Sequence, residues 1–297
     1  MNDLQKVFVM LGIILFLMAG VATLLFLFGG ALSFGGPTIA VIDFSGEIAD
    51  SDAAGYISAS MLRDMLKDAE EDSGVVAVIL KINSGGGGVI ESKEMARAVE
   101  KFAESKPIVA YIGDVGASGA YYVAAHTDYI LSDEDSLLGS IGVISTYTNY
   151  QELLEEKLGI NTTVIKSGEF KDIGSPYRQM TEEEKARMQE IVDTVYKEFI
   201  GVIASRRALT QEMVERVGNG DLFLGSEALT VGLVDATGSF DDAVEKARQL
   251  SDSPDAEPSY VDESSYYYTD IYYQMGRGFG DSLASRMQLS DGALKLV

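Results

Sequence analysis

One uncharged segment near the start of the chain limits most strongly what this sequence can fold into. From residue 7 to residue 28 no side chain is charged, and Thr23 is the only polar one. About 22 residues at a helical rise of about 1.5 Å each extend over roughly 33 Å, enough to cross the hydrocarbon layer of a membrane. We therefore predict one N-terminal transmembrane helix. A cleaved signal peptide is the alternative, but its apolar region is shorter, at about 7 to 15 residues.

The charges around this segment indicate its orientation. Lys6 precedes the segment, and no positive charge lies between residues 28 and 38. Because Lys and Arg favour the cytoplasmic side, we expect a single-pass protein of the cell membrane with its N-terminus inside and the domain that follows the segment outside. Asp3 and Lys6 cancel, so the net charge of −23 belongs to the outer part. This negative charge repels phosphate groups, and we expect no nucleic-acid partner.

After a linker that ends at residue 36, apolar runs alternate with helical patterns. Thr38–Phe44 and Val75–Ile82 are short, rich in β-branched residues and bounded by Gly, Ser or Asp, which is typical of buried strands. Apolar residues recur at helical spacing from residue 62 to residue 69. A second helical stretch at 89–104 precedes a strand at 107–112. This βαβαβ order predicts a parallel α/β layer.

The next segments continue the α/β pattern. The sequence predicts an apolar helix over Ser118–His126 and strands over Tyr129–Leu131 and Ile141–Ile144. A long helix is predicted over Thr181–Arg207, with threonine as its N-cap and Glu184 at the capping-box position.

The chain divides into three parts by composition. Residues 1–36 form the predicted membrane anchor and linker, and residues 37–250 the α/β domain. Residues 251–297 are acidic and rich in tyrosine, and we expect them to form a C-terminal tail.

Two residue types limit the chemistry. The chain has no cysteine and one histidine, His126, which excludes zinc-thiolate sites, multi-histidine metal sites and a cysteine nucleophile. His126 lies eight residues after Ser118, about 12 Å along one predicted helix, too far to take its proton. If Ser118 is a nucleophile, its base must therefore be a Lys, Asp or Glu.

Two glycine-containing turns each join a predicted strand to a predicted helix. In the turn at 84–88, backbone N–H groups can converge on an anion, although no Gly-Lys-Ser/Thr follows as in a nucleotide P-loop. A flexible turn explains this segment equally well. The segment Gly116–Ala120 places the hydroxyl of Ser118 at a helix start among small residues. An N-cap serine is the alternative there.

Lys171 is the most suggestive candidate base. A lysine acts as a base only when it is neutral, which requires lowering its ordinary pKa of about 10.4 toward about 7 or 8. Lys171 stands in a loop punctuated by Gly and Pro, at 167–176, rather than on a solvated helix face. An ordinary surface lysine is the alternative.

Four segments, each of them a weak signal alone, form a specific family pattern when they occur together and in this order. They are Ile82–Gly88, Ala117–Tyr122, Leu138–Ile144 and Ser167–Pro176. They resemble the signal peptide peptidase A family over roughly residues 38 to 250. The resemblance implies the short form of that family, with one ClpP/crotonase-like α/β domain built from repeated ββα or βαβ units. The sequence departs from the family at Gly85, where proline is usual.

The resemblance also implies a role for each matched residue. Ser118 is the nucleophile, and Lys171 is the general base that takes its proton and later protonates the leaving amine. Ser140 holds the amino group of Lys171. The backbone N–H groups of Gly119 and Gly87 form the oxyanion site. No cofactor and no metal ion are implied.

Substrate and partners follow from the same resemblance. Expected substrates are hydrophobic peptides, especially released signal peptides, which concentrate near the membrane. In short forms of the family the nucleophile and the base come from neighbouring subunits of a homo-oligomer, so an isolated monomer should be inactive. Four apolar side chains are candidates for the substrate pocket: Val89, Ile90, Ile141 and Val143.

Two other functions remain possible from the sequence. The first is a non-catalytic membrane scaffold or chaperone, which full activity of a Ser118→Ala protein would support. The second is a crotonase-type acyl-CoA enzyme on the same fold, whose glycine turn would hold a thioester enolate. The net charge of −23 argues against a polyanionic CoA ligand.

Overall fold

The computed structural model describes residues 36–51, 53, 55–262, 266, 287–290 and 293–296. The predicted transmembrane helix lies outside these residues. Across the described ranges, no helix is both long and apolar enough to cross a bilayer.

The described elements alternate between strands and helices, as the sequence predicts. The strands are β1 (Thr38–Ser45), β2 (Glu47–Ile48), β3 (Tyr56–Ile57), β4 (Val75–Ser84), β5 (Ile108–Ala117), β6 (Tyr129–Ser132), β7 (Leu137–Gly139), β8 (Leu222–Leu224), β9 (Ala236–Thr237), β10 (Glu257–Tyr260), β11 (Met287–Ser290) and β12 (Ala293–Leu296). The helices are α1 (Ala59–Glu71), α2 (Val89–Ala103), α3 (Gly119–Ala124), α4 (Glu182–Arg206), α5 (Gln211–Val217), α6 (Gly225–Thr230) and α7 (Phe240–Leu250), with a π-helical turn at Leu153–Lys157 and a 3-10 turn at Glu169–Asp172.

A central sheet carries the fold, in the order β10-β1-β4-β5-β6-β9. All pairs along this path are parallel, which confirms the predicted α/β layer. Strand β7 pairs parallel with the last residues of β5 and antiparallel with β8. β1 and β4 are almost continuously apolar because both faces of a parallel sheet are covered.

Helices cover the two faces of the sheet unequally. Buried residues of α1, α2 and α3 join the larger core, with Leu62, Met95 and Phe102 among its most buried side chains. On the other face, α7 packs Val244 and its neighbours against β1, β4 and β5. The larger core therefore lies directly beneath the helix that follows Ser118.

Two predicted elements differ from the observed ones. The strand predicted over Ile141–Ile144 is wrong, because the strand is Leu137–Gly139 and the chain then leaves the sheet. Gly139 and Ser140 have φ values of 101° and 47°, which turn the backbone out of the extended conformation. The helix after Ser118 is also shorter than predicted and ends at Ala124.

The C-terminal side of the domain extends past the predicted boundary at residue 250. Strand β10 pairs with β1 through residues 257–260, so this boundary falls before the edge strand of the sheet. Beyond it, the hydroxyl of Tyr266 donates to a carboxylate oxygen of Asp68 on α1, at 2.6 Å.

The start of α4 is the predicted one. The hydroxyl of Thr181 accepts from the N–H of Glu184 at 3.2 Å, and the Glu184 carboxylate accepts from the N–H of Thr181 at 2.9 Å. This reciprocal pair is the capping box that the sequence predicts.

Tyr121 on α3 provides a test of the core beneath the site. It is fully buried, and its hydroxyl donates to the carbonyl oxygen of Leu233 at 2.6 Å. Burial raises the pKa of this phenol far above its usual range, so it stays a neutral donor. Tyr121→Phe leaves that carbonyl unpaired, and we expect the free energy of unfolding to fall by about 1–3 kcal/mol.

Urea denaturation measures this change. Tyr260→Phe is the matched control, because Tyr260 is exposed, and it should shift the free energy of unfolding by less than about 0.5 kcal/mol. Equal stabilities for the two variants would contradict a structural role for the Tyr121 hydroxyl.

Candidate active site

Ser118 and Ser140 lie next to each other at the carboxyl edge of the sheet, directly after two paired strands. β5 and β7 are paired at Ala117 and Gly139, so Ser118 and Ser140 both follow the last pair. The N–H of Ser118 donates to the carbonyl oxygen of Gly139 at 2.8 Å. Both serines have positive φ, 51° and 47°, a conformation that is costly for a side-chain-bearing residue and concentrates at functional sites.

The hydroxyl of Ser118 is not used as a helix cap. Ser118 occupies the position before α3, but its side chain makes no capping hydrogen bond and its backbone is not in the extended conformation of an N-cap. The N-cap alternative is therefore wrong, and the hydroxyl is left available for chemistry.

The glycine turn after β4 lies against this corner. Two backbone hydrogen bonds to Ile48 of β2 hold the turn in place. The N–H of Ile48 donates to the carbonyl oxygen of Gly86 at 2.9 Å, and the N–H of Gly88 donates to the carbonyl oxygen of Ile48 at 2.8 Å. Neither of these hydrogen bonds uses the N–H of Gly87. A Cβ at Gly86 would lie 2.6 Å from the nitrogen of Gly119, so only glycine allows this approach.

The backbones of Gly87 and Gly119 lie close together next to Ser118. A Cβ added at Gly119 would lie 3.4 Å from the nitrogen of Gly87, and all three residues line the same pocket. The N–H of Gly119 belongs to the first turn of α3, where helical N–H groups have no partner within the helix. This proximity is compatible with the expected role of the two glycines as oxyanion donors.

An apolar pocket of about 120 Å³ opens at Ser118. Val89 and Val143 line it, whereas Ile90 is 62% exposed and Ile141 is fully buried in the core. The predicted pocket residues Val89 and Val143 therefore line the pocket, whereas the predictions for Ile90 and Ile141 are wrong. The remaining lining residues are Gly87, Ser92, Lys93, Gly119, Tyr122, Gly142, Ile144, Val195 and Phe199.

One wall of this pocket comes from α4 and was missed by the sequence analysis. Val195 and Phe199 are four residues apart, so they lie on one face of the helix. The ring of Phe199 meets the ring of Tyr122 edge-on, with centroids 5.3 Å apart. The spacing of apolar residues along α4 could have predicted that Val195 and Phe199 share one face of the helix. It could not have predicted which cavity that face lines.

A second, more open groove of about 570 Å³ also reaches Ser118. Ser140 lines it together with Asn83, Glu47 and the glycine turn. Ser118 is thus shared by two neighbouring cavities, an arrangement that an extended peptide could occupy around a reacting bond.

Lys171 lies apart from this corner. It stands in the exposed 3-10 turn Glu169–Asp172 and lines neither cavity at Ser118. Over the described part of the chain, its amino group has no hydrogen bond or ion pair. The structure therefore brings Ser118, Ser140, Gly87 and Gly119 together and leaves Lys171 outside the group.

A cluster of ionised side chains surrounds the turn that carries Lys171. Asp172 accepts from Lys166 at 2.6 Å and from the Arg178 guanidinium at 2.7 and 2.8 Å. Arg178 also donates to Glu184 at 2.7 Å. Hydrogen bonds from Arg178, then from Lys166, hold the pKa of Asp172 well below its usual range. Arg178 and the N–H of Thr181 lower the pKa of Glu184 to about 2.

His126 takes no part in the site. Its ring nitrogen Nδ1 lies 2.8 Å from the carbonyl oxygen of Tyr122, and burial lowers the pKa of the imidazole. The residue is buried, and its ring packs against that of Tyr122.

Several known proteins with similar sequences are named as proteases. A model of peptidase family S49 matches residues 100–253. A protein of Methanocaldococcus jannaschii assigned as a protease is 39% identical over 79% of this chain and 76% of its own length. A protein of Enterococcus faecium assigned as a signal peptide peptidase is 36% identical over 72% of this chain and 65% of its own length. Protease 4 of Salmonella typhi is 33% identical over 73% of this chain, which spans only 35% of that longer relative.

A solved structure with the same fold belongs to a peptidase as well. A lysine-to-alanine mutant of the membrane-bound stomatin-specific protease 1510-N, in complex with a substrate peptide, superposes with a TM-score of 0.52. The superposition covers 79% of this chain and 98% of that chain at 14% identity, which supports the fold.

The fold and the comparisons together define a serine peptidase. The chain belongs to peptidase family S49, and the resemblance to signal peptide peptidase A is confirmed. The family favours proteolysis over the acyl-CoA and scaffold alternatives.

The contact between Gly86 and the Ser118 corner can be tested with one methyl group. In Gly86→Ala the new Cβ lies 2.9 Å from the Ser118 Cβ, at a φ of 93° that disfavours alanine. We expect Ser118 to move and peptidase activity to fall by about 100-fold, since a shift of about 1 Å can cost that much.

Gly85→Ala is the matched control for this variant. A Cβ at Gly85 meets no heavy atom within 4 Å, so activity should change by less than about twofold. Peptide cleavage rates and melting temperatures are measured for both variants. Equal activity of the two would show that close approach at Gly86 is not required.

Proposed function

We propose that this chain is a membrane-anchored serine endopeptidase that uses a Ser118–Lys171 dyad to degrade hydrophobic peptides such as released signal peptides. The observation that carries the proposal is the environment of Ser118. Its unused hydroxyl stands at a strained corner, beside two backbone N–H groups and the mouth of an apolar pocket.

The reaction divides into acylation and deacylation. The neutral amine of Lys171 takes the proton of Ser118 as its Oγ attacks the peptide carbonyl carbon. The N–H groups of Gly87 and Gly119 stabilise the oxyanion that forms. The C–N bond then breaks, and Lys171 returns the proton to the leaving amine. Water then attacks the carbonyl carbon of the acyl-enzyme while Lys171 takes a proton from the water. The ester C–O bond breaks, and Lys171 returns the proton to the Oγ of Ser118.

Lys171 reaches Ser118 from a neighbouring subunit in this proposal. Most residues from 144 to 170 are exposed in the single chain, and this segment presents apolar side chains to solvent, with Ile144 90% exposed and Ile165 97% exposed. Burying this segment against a second copy removes apolar surface from water. It would also bury Lys171, and burial favours the neutral amine that a base requires. Ser140 lies in the groove beside Ser118, where its hydroxyl can hold the incoming amino group.

The substrate class follows from the pocket and from the anchor. An apolar wall of Val143, Val195 and Phe199 favours a hydrophobic side chain next to the cleaved bond. The uncharged segment at residues 7–28 would hold the domain at the outer face of the cell membrane, where hydrophobic fragments concentrate. The membrane and a second copy of this chain are therefore the proposed partners.

The first test replaces each member of the dyad. Ser118→Ala and Lys171→Ala should each abolish peptide cleavage and leave assembly unchanged, because each removes one of the reacting groups. Lys67→Ala is the control, an exposed lysine on α1 that lies outside the segment proposed to dock, and it should keep wild-type activity. Turnover by either dyad variant would refute the proposed mechanism.

Mixed oligomers test whether the site is shared. In a one-to-one mixture of Ser118→Ala and Lys171→Ala subunits, about a quarter of the shared sites combine two intact residues, and activity should recover to about that level. Each variant alone remains inactive. No recovery in verified mixed oligomers would place both residues of a site in one subunit.

The apolar pocket can be tested by a change of specificity. Val143→Asp places a carboxylate in the pocket wall, so kcat/KM for peptides with leucine before the cleaved bond should fall by about tenfold or more, while arginine at that position gains relative to leucine. Ile141→Ala is the comparison, because Ile141 lies in the core: it should lower the melting temperature and leave the leucine-to-arginine preference unchanged. An unchanged preference in Val143→Asp would contradict the assignment of this pocket.

A further inference from the structure

We propose that Arg178 is a positioning residue for Lys171: its guanidinium joins the turn that carries Lys171 to the first turn of α4 and keeps the adjacent Asp172 carboxylate occupied. The inference rests on the proposed function, in which Lys171 is the base. It adds a residue that touches neither the substrate nor Ser118.

The turn that carries Lys171 has no apolar core of its own. None of the residues in Glu169–Asp172 is buried, and the turn has a single short helical repeat. Such a segment cannot hold a side chain in one place through packing. Its geometry therefore depends on the polar contacts that attach it to the rest of the domain.

Arg178 supplies the strongest of these contacts. Its guanidinium donates hydrogen bonds to both carboxylate oxygens of Asp172, at 2.7 and 2.8 Å, and to a carboxylate oxygen of Glu184 at 2.7 Å. A planar guanidinium fixes direction as well as distance when it binds in this forked manner. Asp172 is the next residue after Lys171, so the position of its carboxylate constrains the backbone from which Lys171 projects.

The other end of this connection is rigid. The Glu184 side chain is only 3% exposed and also closes the capping box of α4, a helix of 25 residues. The same helix carries Val195 and Phe199 into the apolar pocket. Arg178 therefore ties the lysine turn to the element that forms part of the substrate wall.

The cluster is also neutral as a whole. Lys166 and Arg178 balance Asp172 and Glu184, and the turn itself also carries Glu169 and Lys171. Without Arg178, one negative charge is left in excess, and Asp172 keeps only Lys166 as a partner. An excess negative charge close to Lys171 favours the charged form of its amino group, which cannot act as a base.

The test compares Arg178→Ala with a matched arginine on the same helix. Arg187 pairs with Glu190 on the exposed face of α4, and Arg187→Ala should behave as wild type. In the assembled, membrane-anchored protein, Arg178→Ala should lower kcat by about tenfold or more, change KM by less than about twofold, and move the acid limb of the pH–rate profile to higher pH. Arg178→Lys keeps the charge without the fork and should restore the acid limb but only part of kcat.

The single variants separate this inference from the proposed function. Activity in Lys171→Ala would overturn the dyad itself. An inactive Lys171→Ala together with an Arg178→Ala that matches Arg187→Ala would overturn only the positioning role.

Folding is controlled by a second variant. Glu184→Gln removes one negative charge from the other end of the connection. It should lower kcat by loosening the turn, but move the acid limb of the pH–rate profile to lower pH, opposite to Arg178→Ala, because the cluster is then one positive charge in excess. If Arg178→Ala fails to assemble, Glu184→Gln decides the question. A loss of kcat that follows the melting temperature, with an unmoved acid limb in both variants, would show a merely structural role and overturn the proposal.

Discussion

The site depends on the parallel pairing of three strands that end at one edge of the sheet. Pairing of β5 with β4 and with β7 brings the glycine turn, Ser118 and Ser140 to the same level. At that level the backbones approach so closely that a Cβ at Gly86 would collide with the Ser118 corner. The same approach brings the backbones of Gly87 and Gly119 close together, so the proximity of these two residues to Ser118 is a consequence of sheet register rather than of side-chain placement.

Local patterns in the sequence were sufficient for this part of the site. The buried strands, the helix at residues 89–104 and the glycine turn are encoded within short windows, and parallel βαβ order places strand ends at a common edge. The capping box at Thr181 is equally local and was predicted correctly. The conformation of Ser118 was not predictable, because a serine between glycines fits an ordinary N-cap as well as the observed φ of 51°.

Features that depend on distant packing could not be predicted. Ile141 and Val143 look alike in sequence, yet the turn at Gly139 and Ser140 sends Ile141 into the core and leaves Val143 at the pocket. The pocket wall on α4 requires knowing where that helix crosses Tyr122. The ion cluster around Asp172 joins residues that are close in sequence, but charge pairs in loops are too common for sequence alone to identify this one.

If a second copy of the chain completes the site, the rigid position of Ser118 and the exposed position of Lys171 determine which part must be ordered, at a cost in conformational entropy, when two subunits associate. Ser118 lies on a buried sheet edge whose geometry exists in each chain, whereas Lys171 lies on a turn without apolar support. Docking such a turn normally costs conformational entropy at every loose residue. Contacts that order the turn in advance, as Arg178 does between Asp172 and Glu184, reduce that cost before the subunits meet. In the proposed role of Arg178, the same contacts occupy the Asp172 carboxylate, so it does not pair with the amino group of Lys171. The turn is then ordered and its charges are balanced before Lys171 reaches Ser118.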